Sequence, residues 1–275
     1  IYGGGAIATA NHLSSFVGDC SLLSIIQERN NRELETKIKK NIKKFFYKEK
    51  NYKTIIKRRY LDNQNNKLFQ ISNSKTDQIS KTTEGKILYF LRKNIHKFDH
   101  VIIHDFGHGL ITKKIIDFVQ KKSKYLSINV QTNSSNIGFN YITKFIKTNY
   151  FSIDEPEARL ALSDNDSNTK KLFLKLRKKI NFKSGSITFG KHGSYSCVGK
   201  KILFAPALTK KPIDTLGAGD AFFVISAMMS IYSKKPEEIG FLGNVAGSFA
   251  VNHLGHQKYL NKEFLLNYIK TYLNI

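Results

Sequence analysis

The chain has 275 residues, of which 41% are hydrophobic. That is enough apolar material for one large α/β domain or two small ones, and it excludes a disordered chain. No apolar run approaches the ~18 residues that a membrane-spanning helix needs, so a helical membrane protein is excluded as well. The two cysteines, Cys20 and Cys197, lie far apart, which argues against a disulfide framework or metal cluster and for a reducing, cytoplasmic location.

The formal net charge of +24 comes mostly from lysines that are spread along the chain. Proteins that bind nucleic acid concentrate Lys and Arg along one face, because phosphate neutralisation depends on local charge density. The densest stretch, 39–44, lies in a segment with helical periodicity, where lysines typically form a solvated face. We therefore expect no nucleic-acid partner and no membrane partner, and we expect the charge to attract anionic small substrates.

The sequence begins at Ile1 without a methionine or a signal peptide. A glycine turn, Gly3-Gly4-Gly5, follows at once, and such turns normally lie inside a domain. We expect that further residues precede Ile1 in the natural protein.

Hydrophobic periodicity predicts a helix over 6–16, a short strand over 20–26 and a lysine-faced helix over 33–46. Two β segments, 54–60 and 67–71, flank the polar turn 62–66 and predict a hairpin. The remaining predicted elements are helix 86–95, strand 100–104, helix 112–120, strand 125–130, helix 139–146, strand 150–153, helices 156–162 and 169–180, strand 186–189, a hairpin over 195–204, and two or three helices from 218 onward.

Strands that alternate with helices of about ten residues indicate parallel βαβ crossovers. We therefore predict an α/β fold, with one domain over 1–275 and a β insert at about 43–75. Ligands of such sheets bind beyond the carboxyl ends of the strands. Four polar or glycine-rich loops are expected there: 105–109, 154–157, 190–193 and 214–220.

The loop 214–220 reads Asp-Thr-Leu-Gly-Ala-Gly-Asp and runs directly into an apolar helix. Glycines at a helix N-terminus leave backbone N–H groups accessible at the positive end of the helix dipole, which favours an anion such as a phosphate. Asp220 then has two interpretations. It is an ordinary carboxylate in a first helical turn, or it is a general base beside a phosphoryl group, which requires it to face an open cleft.

This loop resembles the D-T-x-G-A-G-D signature of the ribokinase-like (PfkB) sugar kinases at every fixed position. Gly3-Gly4 resembles the Gly-Gly motif of that family, and the stretch 188–193 resembles its T-x-G-x-x-G nucleotide loop. The resemblance implies a mainly parallel sheet with helices on both faces, a small β lid, and a first strand that would precede Ile1. It also implies an ATP- and Mg²⁺-dependent phosphotransferase.

By the same resemblance Asp220 is the catalytic base, and the amides of Gly217, Ala218 and Gly219 form the anion hole for the γ-phosphate. Further residues implied to contact the nucleotide are Thr215, Thr188, Gly190, Gly193 and Asn244. Asn244 is equally explained as a surface or capping residue.

The stretch Asp154-Glu155-Pro156-Glu157 resembles the N-x-x-E motif of the family, in which Glu157 would orient Mg²⁺ and its waters. Asp154 replaces the asparagine, which removes a donor and adds negative charge near the triphosphate. Acidic residues with proline at the start of a helix are also explained by helix stability alone.

On the substrate side, the segment 54–59 resembles the T-x-x-K-x-R lid strand of heptose-phosphate kinases. Alternation places Lys57 and Arg59 on one face, where both could meet a substrate phosphate; an exposed edge strand protected by lysine is the alternative. The loop 105–109 resembles the S-D-Y-x-K-G loop of the same kinases, with His108 in place of lysine. Asp105 is then expected to accept sugar hydroxyls.

We therefore expect a kinase that phosphorylates a sugar or sugar phosphate, with heptose phosphates among the candidate substrates and Gly3, Gly4, Lys57, Arg59 and Asp105 as substrate contacts. A homodimer through the lid is a further expectation. The alternative is a noncatalytic ribokinase-like domain that binds a phosphosugar or nucleotide within a larger sugar-nucleotide-assembly protein. Two departures favour the alternative: Asp154, and Ile7 in the place of a sugar-binding asparagine, with Asn11 one helical turn further on.

Overall fold

The computed structural model describes residues 1–27, 32–49, 52–63, 67–73, 78–133, 136–209 and 211–273. The helices in these ranges are α1 (Gly5–Leu13), α2 (Arg32–Thr36), α3 (Lys81–Asn94), α4 (Lys113–Lys122), α5 (Glu155–Leu162), α6 (Thr169–Lys179), α7 (Ala218–Tyr232), α8 (Pro236–Val251) and α9 (Lys262–Leu273). The strands are β1 (Cys20–Gln27), β2 (Ile42–Glu49), β3 (Ile56–Leu61), β4 (Lys67–Asn73), β5 (Val101–Asp105), β6 (Leu126–Val130), β7 (Lys147–Asp154), β8 (Asn181–Thr188), β9 (Gly193–Val198) and β10 (Lys201–Pro206).

A six-stranded sheet in the order β10-β9-β8-β7-β6-β5 forms the centre of the molecule. Strands β5 to β8 run parallel to one another, and β9 and β10 add antiparallel to β8. The prediction of a mainly parallel α/β sheet is confirmed. The carboxyl ends of β5 to β8 consequently meet at one edge, where the predicted site loops begin.

Helices cover both faces of this sheet, as two adjacent residues of β7 show. Neighbouring side chains of a strand point to opposite faces. Phe151 packs against Phe173 of α6 on one face, with ring centroids 6.3 Å apart. On the other face, Tyr150 is fully buried and its hydroxyl donates to Oγ of Ser226 in α7 over 2.7 Å.

Two predicted helices are wrong. Within 33–46 only the short helix α2 forms, and β2 pairs in parallel with β1, Ile42 lying opposite Cys20. The aromatic residues of β2 have high strand propensity, and pairing with β1 prevails over the local helical pattern. Within 139–146 only a 3₁₀ turn, Ile142–Lys144, forms, because the Asn140 amide donates to the carbonyls of Asp105 and Gln131 instead of stabilising a helix.

The two small sheets, β1–β2 and β3–β4, lie outside the six-stranded sheet. The predicted hairpin is confirmed as β3–β4, with Arg59 opposite Gln70 and Tyr60 opposite Phe69. The predicted insert at 43–75 contains most of β2 and all of β3 and β4. Strand β1, which pairs with β2, lies before the insert in the sequence. Residues 50–51, 64–66 and 74–75 of the insert lie outside the described residues. None of the helices in the described part of the chain is long and apolar enough to cross a bilayer.

Candidate functional site

The loop before α7 is held in shape by its first aspartate. The carboxylate of Asp214 accepts hydrogen bonds from the backbone N–H of Leu216 (2.9 Å) and of Gly255 (2.8 Å). Thr215, which lies between Asp214 and Leu216 in the sequence, is exposed. This anchoring ties the loop to the segment that follows α8.

Gly217 is required where α7 begins. Its φ is +78°, which favours glycine, and a Cβ there would lie 2.7 Å from Nδ1 of His256. The first bond of α7 runs from Ala221 N–H to the Gly217 carbonyl over 2.9 Å. Amides of a first turn have no helical acceptors. The Ala218 N–H bonds to the Thr215 carbonyl over a long 3.4 Å, and a helix start of this kind favours anions.

Asp220 is buried, with 6% of its surface exposed, and it is surrounded by polar partners. Its Oδ1 accepts a hydrogen bond from Nε2 of Gln131 over 2.9 Å and lies 3.3 Å from Nε2 of His104. Its Oδ2 lies 3.8 Å from Nε2 of His256. His256 and Gly3 line an open cavity of about 510 Å³, and Asp220 itself does not line it.

Burial by itself raises the pKa of Asp220. The interactions with His104, followed by those with His256 and Gln131, outweigh burial and lower the pKa of Asp220 to about 2. The side chain is therefore a carboxylate at neutral pH, the state that a proton acceptor requires.

Glu157 and Asp154 form a capping box at the start of α5. The Asp154 carboxylate accepts from the Glu157 N–H (2.7 Å), and the Glu157 carboxylate accepts from the N–H groups of Asp154 (2.9 Å) and Thr132 (2.8 Å). Burial, together with the charge of Asp154, raises the pKa of Glu157. Asp220 acts on that pKa as well, so the two carboxylates are within electrostatic range of each other.

The carboxylates of Asp154 and Glu157 fit a magnesium ion that is also coordinated by phosphates of a nucleotide. Among the described residues, no group of three or more His, Cys, Asp or Glu side chains could hold a metal alone. Mg²⁺ usually takes one or two protein carboxylates and completes its shell with waters and substrate phosphates. Asp154 and Glu157 supply that number, and a bound cation would favour the ionised form of Glu157.

The predicted nucleotide loop lies beside this pair. Thr188 ends β8 directly opposite Asp154 of β7. Gly190 and Gly193 have φ values of +53° and +117°, and a Cβ on Gly193 would lie 2.8 Å from the Ala207 nitrogen. The glycines of this motif are thus explained by backbone conformation at the edge where a nucleotide is expected.

Asn244 in α8 bonds to the backbone at the end of β10. Its Nδ2 donates to the carbonyls of Ala205 and Pro206, both over 2.9 Å, and the side chain is buried. These bonds join the end of β10 to α8. Because Asn244 is buried in the middle of α8, it is neither a surface residue nor a helix cap.

The N-terminal glycines lie near Asp220 and the cavity. A Cβ on Gly5 would lie 2.9 Å from Oδ2 of Asp220, Gly4 precedes the first turn of α1, and Gly3 lines the cavity. Asn11 does not reach this surface: it is buried and bonds to the backbone of Lys37 and Lys39.

The hairpin β3–β4 presents two different faces. Lys57 and Arg59 are half-buried, whereas the alternate residues of the same strand, Ile56, Arg58 and Tyr60, are exposed. Burial lowers the pKa of His108, and the charge of Lys57 lowers it further; Arg59 acts in the same direction on the pKa of His256. Both cations of the predicted lid strand therefore act on histidines beside the site.

Asp105 lies below the surface. It is 3% exposed, forms an ion pair with Lys144, and accepts the N–H of Gly107 over 2.8 Å. The charged side chain shapes its own loop, because a buried carboxylate needs these partners. The structure thus places Gly217 and Asp220 against His256, which shares a cavity with Gly3. Arg59 lies within electrostatic range of His256, and Lys57 lies within that range of His108.

Three residues of this region escaped the predictions from sequence: His104, Gln131 and His256. His104 lies near the end of β5 and Gln131 directly follows β6, so their positions at strand ends were an available signal. Their approach to Asp220 was not, since 89 residues separate Gln131 from Asp220.

Comparisons with curated proteins give distant relatives. The bifunctional protein HldE of a Nitratiruptor species is 24% identical over 257 residues, 92% of this chain and 54% of that protein. HldE of Aliarcobacter butzleri is 24% identical over an alignment of 290 positions, which covers 99% of this chain and 60% of that protein. The chain therefore spans little more than half the length of these relatives.

Solved structures share the fold at lower identity. Phosphofructokinase-2 from Escherichia coli in complex with potassium superposes with a TM-score of 0.76 and 13% identity, covering 99% of this chain and 88% of that one. Ribokinase from Arabidopsis thaliana complexed with ribose and ATP superposes with a TM-score of 0.72 and 16% identity, covering 98% and 87%. These likenesses confirm the ribokinase-like fold. A family model matches residues 1–263, and the chain accordingly belongs to the pfkB family of carbohydrate kinases.

Proposed function

We propose that this chain is an ATP- and Mg²⁺-dependent kinase that transfers the γ-phosphoryl group to a hydroxyl of a sugar or sugar phosphate. One observation carries the proposal: the ionised Asp220 carboxylate lies in the first turn of α7, beside the amides of Gly217, Ala218 and Gly219. Phosphoryl transfer depends mainly on alignment and on charge stabilisation. A base next to an anion-binding helix start supplies both.

In the proposed reaction, Asp220 accepts the proton of the substrate hydroxyl as its oxygen bonds to the γ-phosphorus. The bond between that phosphorus and the β,γ-bridging oxygen breaks, and ADP leaves. The first-turn amides of α7 stabilise the negative charge on the transferred group. Mg²⁺, held through Asp154 and Glu157, would offset the charge of the nucleotide phosphates.

The experiment is a panel of free and phosphorylated sugars, heptose phosphates among them, assayed for ADP release. We expect release that depends on one sugar or sugar phosphate and on Mg²⁺. Sugar or nucleotide binding without release would favour a noncatalytic binding domain, for which the replacement at Asp154 and the buried Ile7 are the supporting observations. Salt-sensitive oligonucleotide binding is not expected.

The lid cations are proposed to select a phosphorylated substrate. Replacing Lys57 and Arg59 together by methionine is expected to raise the KM for a sugar phosphate by about 100-fold or more, since each charge-assisted bond contributes about 1.5–3 kcal/mol. The KM for ATP should change little. Steady-state kinetics with each substrate varied in turn provide the measurement.

Arg58→Met is the matched control, because Arg58 lies on the exposed face of the same strand. An equal rise in KM for the control would show that net charge, rather than a contact from one strand face, is responsible.

The exposed face of the hairpin is proposed to pair with a second copy of the chain. Ile56, Tyr60, Phe69 and Ile71 expose 38–55% of their surfaces there, and an isolated two-stranded ribbon is marginal in water. We expect a dimer in sedimentation equilibrium and a monomer for Phe69→Glu. Exposed Tyr89 of α3 offers the control Tyr89→Glu, and a monomeric wild type would contradict the proposal.

A further inference from the structure

The two oxygens of Asp220 have different surroundings. Oδ1 accepts from Gln131 and lies 3.3 Å from the imidazole of His104. Within the described part of the chain, Oδ2 accepts no hydrogen bond; its neighbours are Gly5, where a Cβ would lie 2.9 Å away, and His256 at 3.8 Å. His256 also lines the cavity, so Oδ2 is the oxygen that lies next to a cavity-lining residue.

His104 is held in place from every side. Its Nδ1 lies 2.8 Å from the hydroxyl oxygen of Thr9 in α1. Its ring stacks on Phe106, with centroids 4.3 Å apart, and meets the ring of Phe223 edge-on at 5.5 Å. The side chain is 4% exposed. A ring packed this tightly cannot swing away from Asp220.

These contacts also select the tautomer. Nε2 of His104 lies 3.3 Å from Oδ1 of Asp220 and 3.2 Å from Nε2 of Gln131, which itself donates to Oδ1 over 2.9 Å. With the Gln131 amide hydrogen directed at Oδ1, the ionised carboxylate favours a proton on Nε2 of His104, since two lone pairs would repel each other. Nδ1 is then an acceptor, and the Thr9 hydroxyl, which can rotate, donates to it. The chain of donors runs from Thr9 through His104 to Oδ1 of Asp220.

We propose that His104 is a positioning residue of phosphoryl transfer: its Nε2–H bond anchors Oδ1 of Asp220 and leaves Oδ2 to accept the proton of the substrate hydroxyl. The inference rests on the proposed function and deepens it. The Nε2–H donor also favours the ionised form of Asp220, with Gln131 as the second donor on the same oxygen.

Other titratable groups near Asp220 are His256, which contacts Gly217, His12 of α1, and Glu157 of α5. Arg59 and Asp214 act in turn on His256. Among the residues that the structure describes, only His104 and Gln131 donate to Oδ1. Loss of His104 is therefore expected to raise the pKa of Asp220, because burial continues to oppose its charge.

The first test does not require activity. Nitrogen-15 NMR of the histidine rings, with the His104 signals identified by their loss in His104→Gln, reports which ring nitrogen carries the proton. We expect the Nε2–H form at neutral pH and a changed Nε2 shift in Asp220→Asn. An Nδ1–H tautomer, or shifts unaffected by Asp220→Asn, would overturn the proposal even if no substrate had been found.

The second test is kinetic. His104→Leu is expected to lower kcat by about 100-fold, as for a misplaced reacting group, with little change in the KM for ATP. The His104→Leu variant should lose most activity at acidic pH, because Asp220 must be unprotonated to act and its pKa is raised in this variant. His104→Gln, whose amide can still donate to Oδ1, is expected to recover most of kcat.

His100→Leu is the matched control. His100 immediately precedes β5, and its Nε2 bonds to Oγ of Ser127 over 2.7 Å. The His100→Leu substitution should lower the melting temperature without changing the pH dependence of kcat. An unchanged pH profile in folded His104→Leu, or equal effects in the two histidine variants, would overturn the proposal.

Discussion

Replacing Asp220 by asparagine is expected to lower the rate of phosphoryl transfer by about 10²–10⁴-fold, the usual contribution of a general base. Asparagine fills the same space and still meets Gln131 and His104, but its amide cannot take a proton from the hydroxyl. The first-turn amides of α7 are unchanged, so the affinity for ATP should be retained. ADP release at saturating substrate and calorimetric ATP binding provide the two measurements.

Asp117→Asn serves as the control. Asp117 is an exposed aspartate of α4 that pairs with Lys113 on the same helix, so its loss removes one charge without touching the site. Unchanged turnover in Asp220→Asn would reject the assignment of Asp220 as the base. Loss of ATP binding together with turnover would instead show that the substitution disturbs the helix start.

Gly217→Ala is expected to have the second largest effect. A methyl group at Gly217 requires φ near +78°, which costs a non-glycine residue about 1–3 kcal/mol. It also collides with the ring of His256, which packs between Gly217 and Asp220. The amides and Asp220 should shift together, so a fall in kcat of about 10²–10³-fold is expected, the cost of removing an anion-hole donor.

The matched control is Gly85→Ala in α3. A Cβ there meets no atom within 4 Å, and the position is helical, so the substitution should stabilise the protein by about 0.5–1 kcal/mol. Urea unfolding measures both free energies, and ADP release measures the activities. Full activity in Gly217→Ala would show that the close contact with His256 is not needed.

Several features of this site follow from local sequence. The residues 214–220 dictate a glycine turn that starts a helix, because only glycine accepts the φ of Gly217 without strain. Alternation along β3 places Lys57 and Arg59 on one face, since the period of a strand is two residues. Regular alternation of strands and helices from residue 85 onward predicted the parallel sheet. The carboxyl ends of its strands predicted where the site loops meet.

Other features depend on contacts between distant parts of the chain. Segment 33–46 has a helical pattern, yet β1 supplies a partner strand and the second part of the segment extends into β2. Asp105 has the chemistry of a sugar ligand, but Lys144, far along the chain, pairs with it below the surface. His104, Gln131 and His256 converge on Asp220 from three separate segments. Spacing along the sequence carries no signal for such pairs, because packing of the whole sheet brings them within bonding distance.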